Sequence, residues 1–105
     1  MPYGNLLKKL TKEKKLTYKE IANKCISIGV KIDDKYISQL ANNVKPPPSE
    51  EKTRAIAKAL DTNEHLLIIE GYIDKAPKEI LELLNKIREY ITLFGLASIK
   101  NDLTK

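Results

Sequence analysis

The sequence predicts an all-α fold: five short helices packed as one domain, with one additional helix at the C-terminal end. Three observations carry this. Apolar residues recur at three- and four-residue spacing, residues able to cap a helix N-terminus precede most of those segments, and no segment alternates in polarity long enough to make a strand. At 105 residues the chain has room for one compact core and little more.

Leu6, Leu7 and Leu10 stand among Lys8, Lys9, Lys12 and Glu13, so the first helix is amphipathic and ends near Lys14 or Lys15. Thr17 and Glu20 form a capping box that opens the second helix. This helix turns Ile21, Ala22 and Cys25 inward, continues through Ile26 and Ile28, and stops at Gly29, a residue free to turn left-handed. Val30-Lys31-Ile32 is too short for a strand and reads as an extended turn that tucks Val30 or Ile32 into the core. Asp33 caps a third helix from Asp34 to about Asn42, with Ile37, Leu40 and Ala41 inward and Asn43 left-handed at its end. Pro46-Pro47-Pro48 is a stiff linker. Ser49 then caps a fourth helix that carries Glu50 and Glu51 in its first turn and buries Ile56, Ala59 and Leu60.

Thr62 or Asn63 starts a fifth helix through Leu66, Leu67 and Ile69, stopped by Gly71. The sixth begins at Asp74 with Pro77 in its first turn. Ile80, Leu81, Leu83, Leu84, Ile87, Tyr90, Ile91 and Phe94 give it an apolar surface broader than one packed stripe requires, so part of it faces another chain. From about Ser98 to Lys105 the chain is polar and expected to fray.

Charge is concentrated at one end. Residues 1 to 48 carry ten lysines against four acidic groups, a net of +6, whereas residues 49 to 105 come to −1. A basic first half suits a polyanion such as nucleic acid, although a solvated lysine face has the same composition. One cysteine and one histidine leave no internal disulfide and no zinc-like ligand spacing. No cofactor or metal is expected. His65 has no partner at a catalytic spacing, and Cys25 reads as a small core residue, so no enzyme is expected. Without a spanning segment or an export leader, the protein is expected to be cytoplasmic and off the membrane.

A capped second helix, a glycine-containing turn and a capped third helix form the arrangement that presents one helix to a DNA groove. Leu16-Thr17-Tyr18-Lys19-Glu20-Ile21-Ala22, then Tyr36-Ile37-Ser38-Gln39-Leu40, Pro48-Ser49, Ile56-Ala57-Lys58-Ala59-Leu60 and Gly71-Tyr72, resemble in that order the Xre or phage-repressor-like helix-turn-helix family. The resemblance covers residues 3 to about 73. It implies a DNA-binding domain over residues 1–73, with residues 74–105 left for dimerisation or partner binding.

It further implies that the third helix enters the major groove with Asp34, Lys35, Ser38 and Gln39 toward base edges. Lysine suits guanine, glutamine pairs adenine, and Asp34 either accepts from cytosine or serves the helix dipole. Thr17, Tyr18, Tyr36, Asn42, Asn43 and Lys45 fall where the family grips the DNA backbone, with packing the other role open to the two tyrosines. The turn before the third helix is about five residues longer than usual in the family, and resembles a subset with a Gly29-Val30-Lys31-Ile32-type turn. A buried arginine–glutamate pair common in the family is replaced by Thr11 and Ala41.

The implied function is sequence-specific binding of double-stranded DNA by a transcription regulator, a repressor acting as a homodimer on a palindromic operator. Ile80, Leu81, Leu84, Ile87, Ile91 and Phe94 are the expected dimer contacts. The rival is an antitoxin-like or regulatory protein-binding module whose last helix holds a different protein; a protein antagonist or co-regulator is a partner on either reading, and a small-molecule substrate on neither.

Overall fold

A computed structural model of the chain describes residues 2–95; the segment from Ser98 to Lys105 lies outside them. Six α-helices follow one another: α1 Tyr3–Glu13, α2 Tyr18–Ser27, α3 Asp34–Ala41, α4 Glu50–Ala59, α5 Glu64–Ile73 and α6 Lys78–Tyr90. The last runs into a π-helical turn, Ile91–Gly95, and no strand occurs among the described residues.

Local sequence sets most of the helix starts. Thr17 Oγ1 accepts from the Glu20 amide while the Glu20 carboxylate accepts from the Thr17 amide, closing the capping box. Asp33, Ser49 and Asn63 cap α3, α4 and α5 with their side-chain oxygens. Lys15, Gly29, Asn43 and Asp61 take positive φ in the turns after α1, α2, α3 and α4.

The first five helices enclose one core, which includes Leu7, Ile21, Ile37, Leu40, Ile56, Leu60 and Leu67, each no more than 1% exposed. Fully burying each such side chain contributes about 1.5–3 kcal/mol. Ile32 is buried and Val30 packs beside it at the rim, so the turn before α3 is pinned by both apolar residues. Tyr3 is a core residue in a segment where the leucine pattern marks only Leu6, Leu7 and Leu10. Its ring lies inside, with its hydroxyl 3.1 Å from Thr53 Oγ1 across the core.

Gly4 sets the contact of α1 with the end of α3. A Cβ there would lie 2.3 Å from both the Leu40 carbonyl oxygen and Asn43 Oδ1, so only glycine lets these backbones meet. Thr11 and Ala41 are both buried. Thr11 satisfies its hydroxyl by donating to the Leu7 carbonyl at 2.7 Å.

Two expected boundaries are corrected. Gly71 does not stop α5: it is not left-handed, and the helix passes through it to Ile73. A Cβ on Gly71 would meet Pro47 and the Tyr3 ring at 3.5 and 3.7 Å, ordinary contact distances, so the packing there does not require glycine. Nor does α6 begin at Asp74. Asp74 ends α5, the Lys75 and Ala76 amides close the turn onto the Tyr72 and Ile73 carbonyls, and Pro77 is the extended residue before Lys78.

Helix α6 leans on α5 through a pair that hydrophobic periodicity does not register. Arg88 donates to Glu70 Oε1 at 2.8 Å and to Asn85 Oδ1 at 2.6 Å, and Glu70 is buried. Leu81, Leu84 and Ile91 share the Arg88 face at helical spacing and are half-buried. Ile80, Leu83, Ile87, Tyr90 and Phe94 form the neighbouring, exposed stripe. The six expected dimer contacts therefore divide: Ile80, Ile87 and Phe94 are open, whereas Leu81, Leu84 and Ile91 lie on the side that leans on α5.

Burial pushes the Tyr3 phenol up to about 12, offset in part by the Thr53 hydrogen bond. The folded state thus prefers the neutral phenol. Stability from this group is complete below the unfolded value near pH 10 and is lost as pH rises toward 12. Tyr3→Phe is expected to cost about 1 kcal/mol at neutral pH, and the stability of wild type relative to it should fall by about 2 kcal/mol between pH 10 and 12, reversing the order of the two proteins. Urea unfolding of both proteins across that range measures this. Parallel stability profiles would refute it.

Candidate nucleic-acid interface

Helix α3 is exposed on the side away from the core. Ile37, Leu40 and Ala41 are buried, Lys35 and Asp34 are exposed, and Ser38 and Gln39 are half-buried. The one-turn spacing of Lys35 and Gln39 puts them on the same face. Asp33 Oδ1 accepts from the Tyr36 amide at 2.7 Å, and Asp34 Oδ1 accepts from the Lys35 amide at 3.0 Å. Both aspartates thus satisfy the start of α3, in keeping with the dipole role for Asp34.

The turn between α2 and α3 has its own fixings. After Ser27 the Ile28 and Val30 amides both donate to the Cys25 carbonyl, and Gly29 takes φ +89°. Ile26 and Ile28 stay exposed at 55% and 50%, so this segment adds no core beyond Val30 and Ile32. Cys25 is wholly buried, which pushes its thiol up and disfavours the thiolate.

The residues expected at the DNA backbone separate by what they already bind. Thr17 is engaged in its capping box, and Tyr18 is half-buried against the core. Asn42 Oδ1 accepts from Lys8 Nζ at 2.7 Å while its amide donates to the Ser38 carbonyl at 2.8 Å. Asn43, left-handed at φ +60°, donates to Asn5 Oδ1 at 2.8 Å. Both asparagines therefore fasten the end of α3 to α1. Tyr36 packs against the core, and burial raises its phenol; Lys52 Nζ sits 5.1 Å from its ring centre. Lys45 remains exposed, its amide bonded to the Gln39 carbonyl at 3.3 Å.

Lys35, Gln39 and Lys45 border an open cleft of about 500 Å³, which Lys31 and Lys52 complete around Tyr36. These last two are missed by sequence reasoning. Lys31 precedes the cap by two residues in a turn whose shape the sequence leaves open, and Lys52 is brought over from α4 by tertiary packing. None of the four lysines has a carboxylate within ion-pair distance among the described residues. The cleft is accordingly cationic, with Asp33 the acidic residue at its edge.

No three His, Cys, Asp or Glu side chains among the described residues are grouped to hold a metal ion, and no described helix is long and apolar enough to cross a membrane. No known family pattern, curated protein or solved structure matches the chain.

Asp33 is the residue on which the start of α3 depends most. Asp33→Ala should cost about 1 kcal/mol, whereas Asp34→Ala should stay within about 0.5 kcal/mol of wild type. Thermal and urea denaturation compare the two, and equal losses would mean that the cap is shared.

Proposed function

We propose that this protein is a cytoplasmic, sequence-specific regulator of transcription that binds double-stranded DNA and represses as a homodimer on a palindromic operator. One observation carries the reading: α3, fixed at both ends, presents Lys35 and Gln39 on one face at the rim of a cationic cleft. Lysine supplies a donor for guanine O6 or N7, and glutamine can pair adenine N6 and N7. Ser38, half-buried beside them, is the third candidate reader. The order of motifs in the chain, resembling phage-repressor-like regulators, supports the same reading.

A short recognition helix contacts few base pairs, so two copies about 34 Å apart are needed to read an operator. The exposed stripe of Ile80, Leu83, Ile87, Tyr90 and Phe94 is the surface for that pairing, at one apolar residue per turn along α6. The same stripe supports the second reading, an antitoxin-like module that holds a different protein.

Lys35→Ala or Gln39→Ala should relax base preference at one position of each half-site by about 1–3 kcal/mol. Lys45→Ala should weaken binding to every sequence and reduce the salt slope by about 1. Selection from random duplexes followed by titration at several salt concentrations measures both. Equal losses on selected and random DNA for all three variants would remove α3 as the reader.

Ile87→Asp should convert a dimer to a folded monomer in sedimentation and weaken operator binding. Wild-type protein that sediments as a monomer at micromolar concentration would leave the stripe to a different protein.

A further inference from the structure

The cleft beside α3 takes its four lysines from four different parts of the chain: Lys31 from the lengthened turn, Lys35 from α3, Lys45 from the linker, and Lys52 from α4. The backbone at the three lysines outside α3 is held by local structure. The chain at Lys31 is pinned by buried Ile32 on one side and by the Val30 amide bonded to the Cys25 carbonyl on the other. Lys52 lies in the first turn capped by Ser49, with its ammonium over the Tyr36 ring. The Lys45 amide is tied to Gln39. Four ammonium groups brought to one cleft without carboxylate partners constitute a site for a ligand of several negative charges. Lysine, a flexible point charge with three rotatable donors, binds phosphate oxygens without needing a fixed fork geometry.

We infer that this cleft seats the sugar-phosphate strand flanking α3, and that Lys31 and Lys52 are phosphate-binding residues that anchor it from the lengthened turn and from α4. The inference rests on the DNA-binding reading and deepens it. On this view the lengthened turn is part of the interface: Lys31 grips one side of the strand while Lys35 and Gln39 reach past it to the bases. Tyr36 acts as a positioning residue, holding the Lys52 ammonium toward the cleft.

The test is salt-dependent binding to a random-sequence duplex by wild type, Lys31→Gln/Lys52→Gln, Lys31→Arg/Lys52→Arg, and Lys9→Gln as a control on the exposed face of α1. Each neutralised phosphate contact contributes about 0.9 to the slope of log K against log salt. The double glutamine variant should therefore lose about 1.8 from the slope, with the arginine pair keeping the wild-type slope and Lys9→Gln changing it little. Circular dichroism establishes that each variant is folded. Wild type that binds duplex while the double glutamine variant keeps the full slope, or loses no more than the control, overturns the inference and leaves the DNA reading standing. Wild type that binds no duplex at low salt overturns both. Titration with tripolyphosphate separates the sources of phosphate: tight binding there without duplex binding would assign the cleft to a free polyphosphate and overturn the strand assignment.

Discussion

The position of α3 depends on a contact between backbones. Gly4 lets α1 approach the Leu40 carbonyl and the Asn43 side chain to a distance that no other residue permits. Around that contact, Lys8 donates to Asn42 and Asn43 donates to Asn5, so the C-terminal end of α3 is tied to the first two turns of α1. The N-terminal end is held by the Asp33 cap and by Ile32 in the core. A helix of eight residues has little stability of its own. Held at both ends, it presents a fixed face.

Thr11 of α1 and Ala41 of α3 are both buried, and the Thr11 hydroxyl is satisfied by bonding back to its own helix. The most buried ion pair among the described residues joins Arg88 and Glu70, where a carboxylate at 3% exposure meets a guanidinium at 28%. Such a pair contributes little net stability after desolvation, but its geometry fixes the face with which α6 meets α5. The choice of face decides which apolar residues of α6 are left exposed.

Much of the fold was legible because its signals are local. Thr17, Asp33 and Ser49 each cap through an amide three residues away, and the inward residues of α2, α3 and α4 follow helical spacing. What escaped involves long sequence separation. Tyr3 finds Thr53 across 50 positions, Glu70 finds Arg88 across 18, and Lys52 reaches Tyr36 from another helix. Gly71 misled because a glycine that ends a helix and one that a helix passes through are the same letter. The candidate site divides likewise. Lys35, Ser38 and Gln39 follow from the register of one helix, whereas Lys31 and Lys52 join them only through packing.

The sequence by itself determined which segments are helical, where α2 to α4 start, which faces of α1 to α4 are apolar, and that the positive charge lies in the first half. These are properties of residues within one or two turns of each other, where spacing and capping chemistry suffice. Tertiary structure decided how close α1 comes to α3, which side of α6 is covered, and that four lysines from separate segments border one cleft. Those outcomes depend on which distant backbones can approach and which buried charges must meet, and neither is encoded in the period of a single helix.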